Sequence, residues 1–146
     1  MVNIMSIPST LTALCDMLRT HTGVNVVLGR PEDSTSTIYV WPWLLEEAPE
    51  SHNLPPAVVP NEIRVPQSSS QNIHFLVIAT PALTIEGLSR LAQARQAILE
   101  NPVLNIGEVN VQVMTSNLEA ETLASVFQAA GIPLTICVSA MVRGAR

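Results

Sequence analysis

A nearly unbroken run of apolar residues occupies Ile73–Thr80, immediately before Pro81. A strand with one solvated face alternates apolar and polar residues, and this run does not alternate. The pattern therefore predicts a strand that is covered on both faces, as in the interior of a sheet. The elements on either side of it in the chain are expected to pack against it.

The chain after this strand alternates helical and strand periodicity. We predict a helix over Ile85–Glu100, a strand over Glu108–Met114, a helix from a Ser116/Glu119 capping box to about Ala130, and a strand over Leu134–Val142. The first of these helices should end at Asn101-Pro102, because proline cannot continue the hydrogen-bond ladder. The second should end at Gly131, with Pro133 following in the usual order.

The chain before the central strand predicts one helix and two short strands. The helix opens near Pro8 and ends at Gly23, a natural left-handed terminator. The strands are expected at Val24–Leu28 and Thr37–Trp41, with Pro42 ending the second strand or placing it at a sheet edge. If that strand continued through Pro42, three aromatic side chains would project to one side: Tyr39, Trp41 and Trp43.

Regular periodicity disappears between Leu44 and Asn72, where prolines recur. So long a segment without helix or strand is unusual inside a compact domain. It carries apolar residues that favour burial, so we interpret it as an extended arm lying on its own domain or on a neighbouring subunit, although a flexible linker remains an alternative. The predicted fold is thus one mixed α+β domain over residues 1–146, with about five strands in a single mixed sheet, three helices, and an arm at 44–72.

Composition favours a subunit of an assembly. Hydrophobic residues make up 47% of the chain, but charged residues only 13%, against roughly 25% in soluble domains. Partial burial of the surface by neighbouring copies would explain this, although uncharged polar residues also solvate a surface. The net charge is -5, and the seven cations are scattered arginines. Without a basic stripe, nucleic acid and anionic membranes are not expected partners.

The candidate chemistry is sparse. No histidine or cysteine pair has metal-ligand spacing and no nucleotide-binding motif occurs, so we predict no metal, no cofactor and no enzymatic activity. We interpret His74 as a hydrogen-bonded strand residue in preference to a catalytic base. The glutamates of the arm are interpreted as solvent-exposed charges without a catalytic role. Cys15 and Cys137 are interpreted as buried apolar residues, with a disulfide left open. Lacking a signal peptide or an apolar membrane span, the chain is expected in the cytoplasm.

The second half resembles a family of tail-terminator, or cap, proteins of contractile injection systems, which are phage-tail-like particles. The matching pattern is the strand Ile73–Thr80, a long helix closed by Asn101-Pro-Val-Leu104, a helix over Leu118–Ala130, and a final strand ending in Val142-Arg143. In the first half, Ile38–Trp41 stands where the family has a short aromatic strand. His52 departs from an arginine usual before the Pro-rich stretch, so any contact of that arginine is in doubt.

The resemblance implies a structural, non-catalytic role. Such caps are expected to form a six-fold ring at the end of the inner tube and sheath, where the ring stops polymerisation and couples the two. The chain would thus be cytoplasmic on synthesis and then part of an assembled particle. The partners would be other copies of the chain, tube subunits and sheath subunits. The residues expected at these interfaces are Trp41, Trp43, Leu44, Leu45, Leu54, Val58, Val59, Ile63, Arg64, Arg143 and Arg146. The alternative is a small adaptor or ligand-binding module that uses the Tyr39/Trp41/Trp43 surface.

Overall fold

The computed structural model describes residues 7–32, 36–47, 57–58, 64–65, 71–107 and 109–145. The helices are α1 (Ile7–Thr22), α2 (Ile85–Glu100) and α3 (Ala120–Ala130). The strands are β1 (Val26–Leu28), β2 (Ile38–Glu47), β3 (Ala57–Val58), β4 (Arg64–Val65), β5 (Gln71–Ala79), β6 (Val103–Ile106), β7 (Val109–Thr115) and β8 (Val138–Ala145). In the part of the chain that is described, none of the helices combines the length and the apolar character needed to cross a bilayer.

Six strands form one mixed sheet in the order β1-β2-β5-β8-β7-β6, and β3 pairs with β4 in a separate short hairpin. Strand β1 runs parallel to β2, and the other pairs are antiparallel. The predicted mixed α+β fold with three helices is therefore confirmed, with six strands in the main sheet. The central position predicted for the Ile73–Thr80 strand is also confirmed, because β5 lies between β2 and β8 and buries seven of its nine residues.

Helices α1 and α2 pack together on one face of the sheet, here called the inner face. Along β5, alternate residues enter this core, namely Ile73, Phe75, Val77 and Ala79. Both edge strands, β1 and β6, contact α1. The sheet therefore curls around α1, and the two-helix core fills the concave side.

Helix α3 packs on the opposite, outer face. Its one buried residue is Phe127, which joins a cluster with Trp41, Leu76 and Ile78. Because Leu76 and Ile78 alternate with the inner-face residues of β5, this strand supplies both cores. Because both faces of β5 are buried, its sequence is apolar at nearly every position.

Several helix ends lie where the sequence places them. Helix α2 has the predicted bounds, and the hydroxyl oxygen of Thr84 caps its first turn by accepting a hydrogen bond from the Gly87 amide at 3.0 Å. Helix α1 is followed by Gly23 and α3 by Gly131, and both glycines have positive φ. The left-handed termination predicted at these two positions is confirmed.

The predicted capping box at Ser116 and Glu119 is wrong. Helix α3 begins at Ala120, and Glu119 makes no side-chain cap hydrogen bond. Ser116 instead continues the pairing of β7 with β8, since its amide and its hydroxyl contact the backbone oxygen and hydroxyl of Ser139 at 2.9 and 2.8 Å. A pairing between distant segments thus overrides the local capping signal.

Of the two roles predicted for Pro42, ending the second strand is wrong, because β2 continues to Glu47 with a bulge between Pro42 and Leu44. The alternative, a position at a sheet edge, is confirmed among the described strands. Strand β1 pairs only with Ile38–Val40. Beside Pro42, on the β1 side of β2, no described strand is present to accept a hydrogen bond. The missing amide hydrogen of proline therefore breaks no strand pairing there. The bulge absorbs the remaining mismatch with β5.

The predicted loss of regular structure over 44–72 is wrong at both ends, which belong to β2 and β5, and at the β3–β4 hairpin. The other residues between 47 and 71 lie outside the described residues, so the extended arm stays a prediction. The last strand begins at Val138, four residues after its predicted start, and Leu134 and Ile136 are exposed.

Candidate assembly surface

The candidate functional surface lies on the outer face of the sheet and has two parts. One part is a groove between β2 and α3. The other is a polar row where β2, β5, β8 and β7 lie side by side, near the end of β2 that leads into the predicted arm.

The groove owes its shape to the aromatic residues of β2. Trp41 is 8% exposed and meets the Phe127 ring edge-on, with centroids 5.3 Å apart and planes at 84°. This contact anchors α3 over one end of β2 and leaves a hollow of about 580 Å³ beside it. The lining residues are Arg30, Trp41, Pro42, Trp43, Thr122, Ser125, Val126, Ala129 and Ala130. The guanidinium of Arg30 is held at the rim by a 3.0 Å hydrogen bond to the Ala130 carbonyl.

Trp43 begins a short chain of contacts that crosses from β2 to β5. Its ring lies 5.7 Å from the ring of His74, and Nε2 of His74 lies 2.7 Å from a carboxylate oxygen of Glu46. The hydrogen-bonded role predicted for His74 is thus confirmed. Two buried atoms of this group, Nε1 of Trp43 and Nδ1 of His74, have no hydrogen-bond partner among the described residues. Buried polar atoms are normally paired, so these two are unusual.

The polar row follows from strand register. Glu46 pairs with Asn72, Asn72 with Arg143, and Arg143 with Gln112. Asn72 is 5% exposed and its Oδ1 has no hydrogen-bond partner within the described part of the chain, whereas Glu46, Arg143 and Gln112 are exposed. Since α3 packs against Leu76 and Ile78 farther along β5, the row occupies the opposite end of the same face. It is a mixed-charge surface suited to polar contacts.

The structure brings together some of the predicted interface residues. Trp41 and Trp43 share the groove, and Leu44 and Leu45 are 39% and 51% exposed beside Trp43 in a second, smaller hollow. Arg143 lies in the polar row. Val58 and Arg64 pair across the β3–β4 hairpin. The remaining four predicted residues lie outside the described residues: Leu54, Val59, Ile63 and Arg146.

The aromatic row predicted for a ligand-binding wall is divided. Tyr39 is 5% exposed and lines a different hollow of about 620 Å³, and its hydroxyl is 3.4 Å from the Glu32 carbonyl oxygen. All three aromatic residues nevertheless project to the outer side of β2, as expected for a strand that passes Pro42, and Tyr39 is separated from the two tryptophans only by lining its own hollow.

The reactive side chains are few in the described part of the chain, where no cluster of three or more His, Cys, Asp or Glu forms a metal site. Cys15 and Cys137 are both free thiols, which resolves the disulfide left open by the sequence. Burial raises the pKa of each thiol, and the Arg19 charge partly offsets this shift at Cys15. Because burial prevails at both positions, neither thiol has the lowered pKa of a reactive nucleophile.

Comparison with solved structures identifies the fold. The chain superposes with a TM-score of 0.71 on the sheath/tube terminator of PVC, an extracellular contractile injection system, in the extended state. It superposes equally well, again at 0.71, on the tube terminating cap of the anti-feeding prophage. This chain shares the fold of those caps. The fold implied by the sequence resemblance is therefore confirmed.

The likeness lies in the fold and not in the sequence. Identity is 16% and 15%, and the match covers 98% of this chain in both comparisons. The chain spans 57% and 55% of the length of these two neighbours. No family model and no curated protein matches the sequence.

Sequence reasoning missed the groove and the pair formed by Glu46 and His74. The groove depends on where α3 crosses the outer face, which no local pattern encodes. A signal for the pair was present, because Glu46 lies near the start of the predicted arm, His74 lies just after its end, and the two side chains have complementary chemistry. The pair was missed because Glu46 was assigned to the arm and not to β2.

Proposed function

We propose that this chain is a structural terminator of a contractile injection system. In this role it forms a ring of six copies on the end of the inner tube and sheath, stops their growth and couples them. The observation that carries the proposal is the fold match over 98% of the chain to two proteins described as a sheath/tube terminator and a tube terminating cap. The role needs no catalytic step and no cofactor.

The surface is consistent with this role. A closed ring requires two different patches on each copy, one meeting the other on the next copy. The outer face offers the groove beside Trp41 and the polar row around Arg143 as candidate patches, and the predicted arm supplies a third. The fold match favours this role over the adaptor alternative, and the division of Tyr39 from the tryptophans weakens that alternative further.

Assembly state is the direct test. Sedimentation of the purified chain is expected to show a species of about 94 kDa, six times the 15.7 kDa chain mass. If assembly requires the tube, the chain should instead appear as a ring on the ends of tubes when it is produced together with tube and sheath subunits, as seen by electron microscopy. Tubes that end at uniform length without this chain would contradict the proposal.

The predicted arm is expected to serve assembly and not folding. A deletion of the arm that began at Glu46 would remove the carboxylate that is hydrogen-bonded to His74. A cleaner deletion removes residues 48–70 and joins Glu47 to Gln71 through Asn-Gly. Glu47 and Gln71 pair directly across β2 and β5, and a two-residue Asn-Gly link suits an antiparallel hairpin.

We expect the deletion variant to keep its circular dichroism spectrum and its cooperative unfolding while it sediments as a monomer of about 13 kDa, in proportion to chain length. A matched control replaces 48–70 with a Gly/Ser segment of equal length, which preserves connectivity but not the apolar residues. If the deletion variant unfolds, the arm is part of the core of its own domain. If both variants still form rings, the arm has no role in assembly.

A further inference from the structure

The groove between β2 and α3 has the features of a site for a proline-rich segment. Its walls are aromatic and aliphatic, with two tryptophans and Pro42 on one side and Val126 and Ala129 on the other. Aromatic-lined grooves bind polyproline II segments because the stiff, extended backbone loses little entropy when it docks. The volume of about 580 Å³ accommodates a few side chains of such a segment.

A hydrogen-bond donor is available at the same place. Nε1 of Trp43 is buried and has no hydrogen-bond partner in the segments that the structure describes. A polyproline II helix makes no internal hydrogen bonds, so its carbonyl oxygens remain free to accept. A segment lying along Trp43 would reach this buried donor after a rotation of the indole, and an indole beside proline rings would add apolar contact.

The chain itself contains a segment of matching chemistry. Residues 48–56 read Ala-Pro-Glu-Ser-His-Asn-Leu-Pro-Pro, with Pro49 near one end and Leu54-Pro55-Pro56 at the other. Arg30 stands at the rim of the groove, and Glu50 in the segment offers the complementary charge.

Chain geometry favours the groove of another copy. The segment leaves β2 at Glu47, four residues after Trp43 on the same strand. To fill its own groove the segment would have to turn back before Leu54, whereas the groove of another copy can be reached by a segment that continues away from β2. Extended, the nine positions 48–56 reach about 28 Å at ~3.1 Å per residue, enough to leave the surface of their own domain.

We propose that the groove lined by Trp41, Trp43 and Ala129 binds residues 48–56 of a second copy in the polyproline II conformation. This inference rests on the proposed function, because it names the subunit contact that links successive copies of the ring. Groove and segment are different surfaces of one chain, so the contact is heterologous and repeats from copy to copy.

A peptide titration tests the binding step. Both tryptophans of the chain line the groove, and a native peptide of residues 48–60 contains no tryptophan or tyrosine. The titration uses a full-length chain whose own Leu54, Pro55 and Pro56 are exchanged for serine, so that its groove is empty and its intrinsic fluorescence reports peptide binding directly. We expect a saturable blue shift of the emission. Exchange of Leu54, Pro55 and Pro56 for serine in the peptide should weaken binding at least ~10-fold. A fluorescence signal that does not saturate would overturn the proposal.

Mixing two defective variants tests docking between copies. Ser125→Glu with Ala129→Glu places charge on two exposed groove positions of α3, and a second variant carries the three serine exchanges in the segment. Each variant alone should fail to associate. Their mixture should form a 1:1 dimer of about 31 kDa, twice the chain mass, because one intact segment meets one intact groove. Monomers only in the mixture would show that the segment does not dock between copies.

The matched control is Ala124→Glu with Gln128→Glu, which adds equal charge at exposed α3 positions outside the groove lining and should assemble normally. If both defective variants form rings alone, the inference fails and the proposed function stands. If groove docking occurs but the chain never terminates tubes, the proposed function fails and the inference stands.

Discussion

Replacing Phe127 with alanine tests whether one side chain holds α3 on the outer face. Phe127 is 1% exposed and is the buried residue of this helix, whereas Leu123, Val126 and Ala130 are only partly buried. Truncation of a buried phenylalanine costs about 3–5 kcal/mol. Of this, ~0.5–1.5 kcal/mol comes from the edge-on contact with Trp41.

The loss should appear locally before it appears globally. A helix of 11 residues is marginal in water without tertiary contacts. We therefore expect Phe127→Ala to unfold in two steps in urea, with α3 leaving first. Because α1 and α2 contain 16 residues each, the first step should remove about a quarter of the helical ellipticity.

Two probes separate this outcome from a simple loss of stability. Tryptophan emission should shift to the red in the first step, because undocking exposes Trp41, while the main far-ultraviolet transition follows at higher urea. Leu123→Ala is the matched control on the same helix, and its partly buried side chain should cost only about 1–2 kcal/mol in a single transition. Coincident transitions for Phe127→Ala with a loss below ~1 kcal/mol would refute the reasoning.

Two further predictions concern packing and thiol reactivity. Gly87→Ala would place a Cβ 1.8 Å from the Pro81 carbonyl oxygen. It should therefore lower the free energy of unfolding by about 2 kcal/mol, despite the better helix propensity of alanine. The control Ser89→Ala, on the exposed face of the same helix, should be neutral or slightly stabilising in thermal unfolding. Because burial raises the pKa of both thiols, Cys15 and Cys137 should react with a disulfide reagent more slowly than a free thiol at pH 8, and faster as the pH rises; a rate equal to that of the free thiol would contradict this.

The sequence predicts the elements whose local signals agree with their tertiary setting. Helix α2 is bounded correctly because Thr84 and Asn101-Pro102 are strong terminators and no distant segment competes for them. The two-sided burial of β5 is visible because it requires an apolar residue at nearly every position. In both places local and global preferences coincide.

The errors occur where a distant partner decides the outcome. Ser116 is recruited by Ser139, 23 residues away in the chain, and so does not cap α3. Pro42 is tolerated inside β2 only because β1 is too short to reach it. The groove likewise depends on the contact between Phe127 of α3 and Trp41 of β2. None of these pairings can be predicted from a short stretch of neighbouring residues.

The arrangement of β2 and β5 determines how the chain would carry mechanical load. The segment between Glu47 and Gln71 is attached at both ends to the same end of one antiparallel pair. A pull on that segment along the strands draws β2 and β5 in the same direction, so their mutual hydrogen bonds are not sheared. The load passes instead to the contact of Ile73–Val77 with Val138–Val142, whose hydrogen bonds lie perpendicular to the pull and resist it together. A tether with this attachment transmits force into the centre of the sheet without peeling an edge strand.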